Sequence, residues 1–248
     1  MLDGPRPGPD NMSIDAALLD RADRDGVSTL RFYGWSPACL SFGRNEPALS
    51  RYDRAAIERL GLAVVRRPTG GRAVWHEHEV TYALAAPIAM FGSLKAAYCA
   101  IHQRIADALG ALGADATLAP DRRAAGGASL SAGACFASPV GGEVLIGGRK
   151  VVGSAQVRQG DAFLQHGSIL LAGSQERVNQ ISRRPSAGAS HASITLSEAL
   201  GRDVTFGHVA AAVAAAFDSA PQRSGQEREQ VFPLLPSLFS DPSWTWRR

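Results

Sequence analysis

Short strand-like runs crowd two stretches of this chain, and one long amphipathic helix separates them. Residues 28–34 and 38–43 read as strands bridged by Trp35-Ser36-Pro37, and Leu62-Ala63-Val64-Val65 is an apolar run suited to a buried strand. Alternation resumes through Arg72-Ala73-Val74-Trp75 and Val80-Thr81-Tyr82-Ala83-Leu84, and three more strands are predicted near 142–147, 150–158 and 161–171. Between the two stretches, Leu94, Ala97, Tyr98, Ile101, Ile105, Ala108, Leu109 and Leu112 mark the buried stripe of a helix that Gly110 and Gly113 help to end. Asn11 is read as the N-cap of a first helix carrying Met12, Ile14, Leu18 and Leu19. Further helices are predicted over 52–60 and, alanine-rich, over 203–217. Helices interleave irregularly with strands, and many neighbouring strands have short connections. That pattern predicts an α+β domain on a mixed, largely antiparallel central sheet flanked by helices, not a doubly wound parallel sheet.

Residues 1–10, rich in proline and glycine, read as a flexible lead-in to one domain over 11–218, with a proline-containing tail over 219–248. Asp121 to Gly133 is small, polar and glycine-rich, the composition of a loop. At 248 residues with 45% hydrophobic and 20% charged, the chain can bury a substantial core unaided. It contains no run of eighteen apolar residues, so no membrane span is expected, and its start lacks the apolar centre of a secretory signal. Cys39, Cys99 and Cys135 are odd in number and widely spaced, which argues against a disulfide framework and fits a reducing cytoplasm. The formal charge of +3 comes with no lysine-rich tract or stacking aromatic series, so nucleic acid is not expected as a partner. A mildly basic surface suits small acidic proteins.

Two segments concentrate chemistry. The first, Arg66-Arg67-Pro68-Thr69-Gly70-Gly71-Arg72-Ala73-Val74-Trp75-His76, sets a glycine pair among arginines; such a backbone can approach a ligand closely. Its bland reading is a tight turn with surface arginines. The second, Gly148-Arg149-Lys150-Val151-Val152-Gly153-Ser154-Ala155-Gln156, places Lys150 on an apolar strand, where its charge is costly without a purpose. Cys135 follows the glycine-rich stretch and precedes Phe136. A thiolate there would be a strong nucleophile and a good leaving group; the alternative is a buried core cysteine, the reading given to Cys39 and Cys99. His76 and His166 are candidate bases or structural groups. His76 and His78 have strand spacing that would put them on one face, but no ligand set completes a metal site.

Together these segments, with Asn11 to Asp15, Arg31 to Pro37, Ser41 to Arg44 and Leu164 to Leu170, resemble the lipoate/biotin protein ligase and octanoyltransferase superfamily over most of residues 11–217. The similarity is to its cysteine-dependent octanoyltransferases. The resemblance implies an α+β fold like that of class II aminoacyl-tRNA synthetases and biotin or lipoate ligases. It implies Cys135 as the acyl-carrying nucleophile, with Lys150 beside the acyl carbonyl. It implies Arg67, Thr69, Gly70, Gly71 and Arg72 along an acyl-binding tunnel, with His76, Gly153, Ser154, Ala155 and His166 as further substrate-binding positions. The expected donor is acyl carrier protein and the acceptor a lipoyl domain or the glycine-cleavage H protein; no cofactor and no metal are implied.

Three departures separate the chain from ATP-dependent ligases of the superfamily. Arg72 stands where ligases extend the glycine pair to a third glycine. Glu79-Val80-Thr81-Tyr82 replaces their glycine-asparagine pair after the histidine, and only a short tail follows the last helix. Octanoyl transfer through Cys135 is therefore the leading expectation. A lipoate ligase, an amidotransferase between carrier proteins and a non-catalytic carrier-binding or lipoate-sensing protein are the alternatives. Asp15-Ala16 departs from relatives that commonly place a second acidic residue after the aspartate, a position given no chemical role.

Overall fold

A computed structural model describes residues 1–120, 141–185, 193–218 and 238–247. In chain order the elements begin with α1 (Gly8–Asp25), β1 (Thr29–Tyr33), β2 (Cys39–Phe42), α2 (Ala48–Arg51), α3 (Arg54–Arg59), β3 (Ala63–Arg66), β4 (Val74–His76) and β5 (Glu79–Pro87). They continue with α4 (Leu94–Ala111), β6 (Ala116–Leu118), β7 (Val144–Ile146), β8 (Arg149–Lys150), β9 (Val152–Gln159) and β10 (Ala162–Leu170). The last helices are α5 (Glu176–Gln180), α6 (Leu196–Leu200), α7 (Phe206–Asp218) and α8 (Pro242–Thr245).

The largest sheet has the order β1-β5-β10-β9 and is antiparallel throughout. In a second, mixed sheet, β2 pairs in parallel with β3 and antiparallel with β4. A third, β6-β7-β8, is small and antiparallel. One apolar cluster lies between the large sheet and α4 and α7, where Ile101, Ile105, Leu109, Val209 and Val213 meet Tyr82, Phe163 and Ile169. On the other face, α1 lays Met12, Ile14, Leu18 and Leu19 against Tyr33, Ala83, Ala85 and Leu164. Each such leucine or isoleucine contributes about 1.5–3 kcal/mol by leaving water. A third cluster joins Leu40, Phe42 and Trp75 to Tyr52, Ile57 and Val178 beneath the mixed sheet. The α+β architecture on a mixed, mostly antiparallel set of strands is as the strand spacing predicts.

The first ten residues are ordered, contrary to the lead-in expected from their composition. Leu2 and Arg6 form parallel bridges to Phe32 and Trp35, and the Asp3 amide donates to Phe32 O. The Asp3 carboxylate then accepts from both Arg6 and the buried Arg31, so local proline and glycine are overridden by pairing with the edge of β1. Helix α1 consequently starts at Gly8, before Asn11. Asn11 is not its cap: the buried amide donates to Arg6 O and Gly34 O and accepts from Arg31 Nη2. The strand expected over 150–158 is divided, because the Val151 amide bonds to Val144 O as the chain passes from the small sheet to the large one. The predicted helix over 52–60 is the shorter α3, capped by the Asp53 carboxylate on the amides of Ala55 and Ala56.

The C-terminal segment belongs to the folded body. Leu238 to Arg247 lies against α1 and β3, with Phe239 and Trp244 joining the α1 cluster and Trp246 the mixed-sheet cluster. Among the described residues, no helix is long and apolar enough to cross a membrane.

Candidate active site

A small cavity lies where β2 and β4 meet the large sheet. Helix α1 and the end of β1 supply Met12, Tyr33 and Trp35 to its wall; β2 and β4 supply Ser41, Val74 and His76, and Arg67 follows β3. From the large sheet come Thr81 on β5, Gly153, Ser154 and Ala155 on β9, and His166, Gly167 and Ser168 on β10. Ser41 sits within a four-residue strand that is buried on both faces.

Both candidate histidines face this cavity, and each is held by a carboxylate behind it. His76 Nδ1 is 2.8 Å from Glu79 Oε1 and Nε2 is 2.7 Å from Ser41 Oγ. The imidazole is thus held at both ring nitrogens, between a carboxylate and a hydroxyl. The Trp35 ring stacks on the imidazole with centroids 4.0 Å apart, and its indole N–H donates to Thr81 Oγ1. Glu79 Oε1 also accepts from the hydroxyls of Thr81 and Ser168. Among the described residues, its Oε2 is a buried side-chain oxygen without a partner.

His166 repeats the arrangement. Its Nδ1 is 2.9 Å from Asp15 Oδ2, and its Nε2 is 2.6 Å from Thr69 Oγ1. Burial pushes the His166 pKa below the usual histidine value, against the pull of Asp15. Asp15 also accepts from Arg31 Nη1 at 2.9 Å and from Tyr33 OH at 2.8 Å. Burial and the Asp15 charge raise the Tyr33 phenol well above its ordinary pKa, so it remains a donor.

Arg67 organises the glycine segment. Its guanidinium donates to Ser41 O and Oγ, to Gly70 O and to Arg72 O, which leaves the segment curled around one cation. Gly71 has φ 93°, a left-handed conformation that favours glycine. The turn lies so close to β2 that a methyl group at Gly43 would sit 2.0 Å from Gly71 O. Thr69, Gly70, Gly71 and Arg72 thus lie behind or beside the cavity wall, while Arg67 is part of it.

Lys150 is not a solvated edge lysine. It is 1% exposed, and its Nζ lies 2.5 Å from Glu143 Oε1. It sits just before the β9 residues that line the cavity and is not itself in the wall. Cys135 falls outside the described residues. Cys39 is a core thiol as expected, its pKa pushed up to about 12 by burial, whereas Cys99 is half-buried, not core. His76 and His78 do not share a face: β4 ends at His76, a bend intervenes, and His76 is buried while His78 is exposed. Among the described residues no group of three or more His, Cys, Asp or Glu could hold a metal ion.

Sequence reasoning passed over Asp15, Glu79, Ser41 and Trp35. The first two had a visible signal. Asp15 lies three residues after Met12 and four before Leu19 on an apolar helix stripe, and Glu79 opens a strand buried along nearly its whole length. A carboxylate in either place is costly unless it is paired. Ser41 and Trp35 carried none.

The profile of the family described as the lipoyl protein ligase A/B catalytic domain matches residues 7–218. A protein of Moorella thermoacetica named Octanoyltransferase LipM is 38% identical over 220 residues, covering 84% of this chain and 80% of its own. A protein of the same name from Symbiobacterium thermophilum is 35% identical over 265 residues, covering 99% and 96%. Among solved structures, a lipoate-protein ligase A bound with ATP superposes with a TM-score of 0.73 at 18% identity, covering 88% of this chain and 83% of that one. The LipL1 protein of P. falciparum in complex with lipoate gives 0.72 at 17% identity, covering 100% and 73%. At those identities the structural likeness is one of fold. By the profile match and the two relatives, the chain belongs to the lipoyl protein ligase A/B catalytic domain family.

Proposed function

We propose that this chain is an octanoyltransferase of lipoate biosynthesis, moving an octanoyl group from acyl carrier protein to a lysine of a lipoyl-accepting protein through a thioester on Cys135. One observation carries the reading. Relatives named octanoyltransferase match at 35–38% identity along most of the chain, whereas the lipoate-protein ligase A of known structure shares only its fold at 18%.

The cavity supports it. Its polar side chains spend their donors on one another: Ser41 on His76, His76 on Glu79, Thr69 on His166 and His166 on Asp15. A wall whose hydrogens are already satisfied, with Met12, Trp35 and Val74 between them, is compatible with an alkyl chain.

In the first half-reaction the Cys135 thiolate attacks the octanoyl carbonyl carbon, and the carrier's thiolate leaves. The Lys150 ammonium, which must turn from Glu143 to reach the carbonyl, and backbone amides stabilise the transient oxyanion. In the second half-reaction, the acceptor's lysine amine attacks the new thioester. A C–N bond forms, the C–S bond breaks, and the departing Cys135 thiolate takes up the proton lost by nitrogen. Arg67 and, behind it, Thr69, Gly70, Gly71 and Arg72 shape one side of the substrate-binding site, with His76, Gly153, Ser154, Ala155 and His166 on the other walls. Gly142, seven residues beyond Cys135, accepts from His102 beside the cavity wall. A reducing cytoplasm keeps that sulfur a thiol.

Intact-mass spectrometry after mixing with octanoyl carrier protein tests the reading. The expected result is a gain of one octanoyl group that hydroxylamine removes, with neither acyl-enzyme nor transfer in Cys135→Ala. Normal turnover by Cys135→Ala overturns the assignment. Octanoyl-adenylate made from ATP and free octanoate identifies a ligase instead, and acceptance of octanoyl from H protein but not from acyl carrier protein identifies an amidotransferase.

A further inference from the structure

Ser154 is half-buried and faces the cavity, and a chain of hydrogen bonds fixes which way its hydroxyl points. The chain starts at a backbone carbonyl. Leu94 O can only accept, so the Gln156 amide nitrogen faces it and also donates to Gln165 Oε1. Gln165 Nε2 therefore donates to Tyr82 OH, 2.8 Å away. The phenol passes its own proton to Ser154 Oγ at 2.7 Å. At the far end, Gly142 O lies 2.6 Å from His102 Nδ1. That carbonyl also only accepts, so Nδ1 carries the proton and Nε2 offers a lone pair, 2.8 Å from Ser154 Oγ. Two carbonyls thus set one direction along the whole chain. Ser154 receives from Tyr82, gives to His102, and has one lone pair left.

Other features hold this arrangement in place. Gly167 is paired with Ser154 across β9 and β10, and a methyl group there would lie 2.3 Å from Ser154 Oγ. His102 is fully buried on α4 against the Tyr98 ring, and burial lowers its pKa to about 4. It stays neutral at physiological pH, keeps its acceptor towards Ser154, and is too weak a base to remove a proton itself.

We propose that Ser154 is a catalytic residue that accepts a hydrogen bond from the attacking lysine amine, and that His102 is the positioning residue that turns the Ser154 proton out of the cavity. The inference rests on the acyl-transfer reading. A thioester offers only acceptors, its carbonyl oxygen and its sulfur. The incoming amine is the reactant that brings N–H donors to the reacting carbon. A hydroxyl locked as an acceptor complements the amine and would not help the thioester. Ser154 therefore acts in the second half-reaction.

The two half-reactions are measured separately: acyl-enzyme formation by intact mass, and transfer from preformed acyl-enzyme to an octanoyl-accepting lipoyl protein in a single turnover. Ser154→Ala is expected to form acyl-enzyme at close to the wild-type rate and to transfer it about 10- to 100-fold more slowly. Two His102 variants separate the ends of the imidazole. His102→Gln carries an acceptor near the Nε2 position and is expected to keep transfer within a few-fold. His102→Asn keeps a donor for Gly142 O, leaves the Ser154 proton without an acceptor, and is expected to lose transfer as Ser154→Ala does. Equal slowing of both half-reactions in Ser154→Ala, or slowing of neither, overturns the proposal. Retention by His102→Asn with loss by His102→Gln overturns the positioning role, since His102 would then act on Gly142. Failure of the acyl-transfer reading shows earlier, as wild-type protein that forms no acyl-enzyme.

Discussion

Asp15 draws together side chains from three distant parts of the chain. Its two oxygens accept from Arg31, Tyr33 and His166, residues 16, 18 and 151 positions away. Both Asp15 and Arg31 are fully buried, so removing one partner's charge strands the other. Asp15→Asn is expected to lower unfolding free energy by roughly 3–5 kcal/mol in urea titrations. A loss below about 1 kcal/mol would show that Asp3, the other carboxylate on Arg31, suffices. The demand for a partner was legible from an acid on an apolar helix stripe. The partner's identity was not, because nothing in local spacing links α1 to β10. His76 shows the same limit. Its residue type marked it as a candidate, but its role as a group tied between Glu79 and Ser41 required β2, β4 and β5 to be assembled.

Strand β3 ends at Arg66, and Arg67 directly after it points the opposite way. Arg67 turns into the cavity. Arg66 turns away, fully buried, and donates to the carbonyls of Gly43 and Glu46 on one side and Trp244, Thr245 and Arg247 on the other. Trp244 returns a bond from its indole N–H to Arg66 O. The C-terminal segment is thereby clasped to the residues that carry the glycine turn. Arg66→Met leaves several buried carbonyls without donors, each costing about 1–3 kcal/mol. The expected outcome is release of residues 238–247, read as a red shift of tryptophan emission and early C-terminal proteolysis. Emission and cleavage like the wild type would show that Trp244 and Trp246 hold the segment by packing alone. The strands themselves were legible from apolar alternation. The lead-in was misjudged because composition records local preference, while its order comes from pairing with β1; Arg66 likewise holds residues 238–247.

His102 and His166 together make stability depend on pH across the whole molecule. Burial lowers both pKa values, to about 4 for His102 from an ordinary 6.5. Between those values the unfolded chain binds a proton that the folded chain refuses, so stability is complete above pH 6.5 and falls as pH drops towards 4. His102 alone accounts for on the order of 3 kcal/mol. Urea midpoints should decline across that window, and His102→Gln should flatten the decline; a wild-type profile flat down to pH 4 would contradict the buried, neutral state. The sequence by itself determined the α+β class, the long helix α4, most strand positions and the residue types that gather at the cavity, because periodicity and the cost of a buried charge act over a few residues. Tertiary structure alone decided that two carboxylate–histidine pairs face one cavity, that Lys150 is buried against Glu143, and that Ser154 is oriented from both ends. Those outcomes depend on strand order and on carbonyls far apart in the chain, and no local pattern encodes which distant groups will meet.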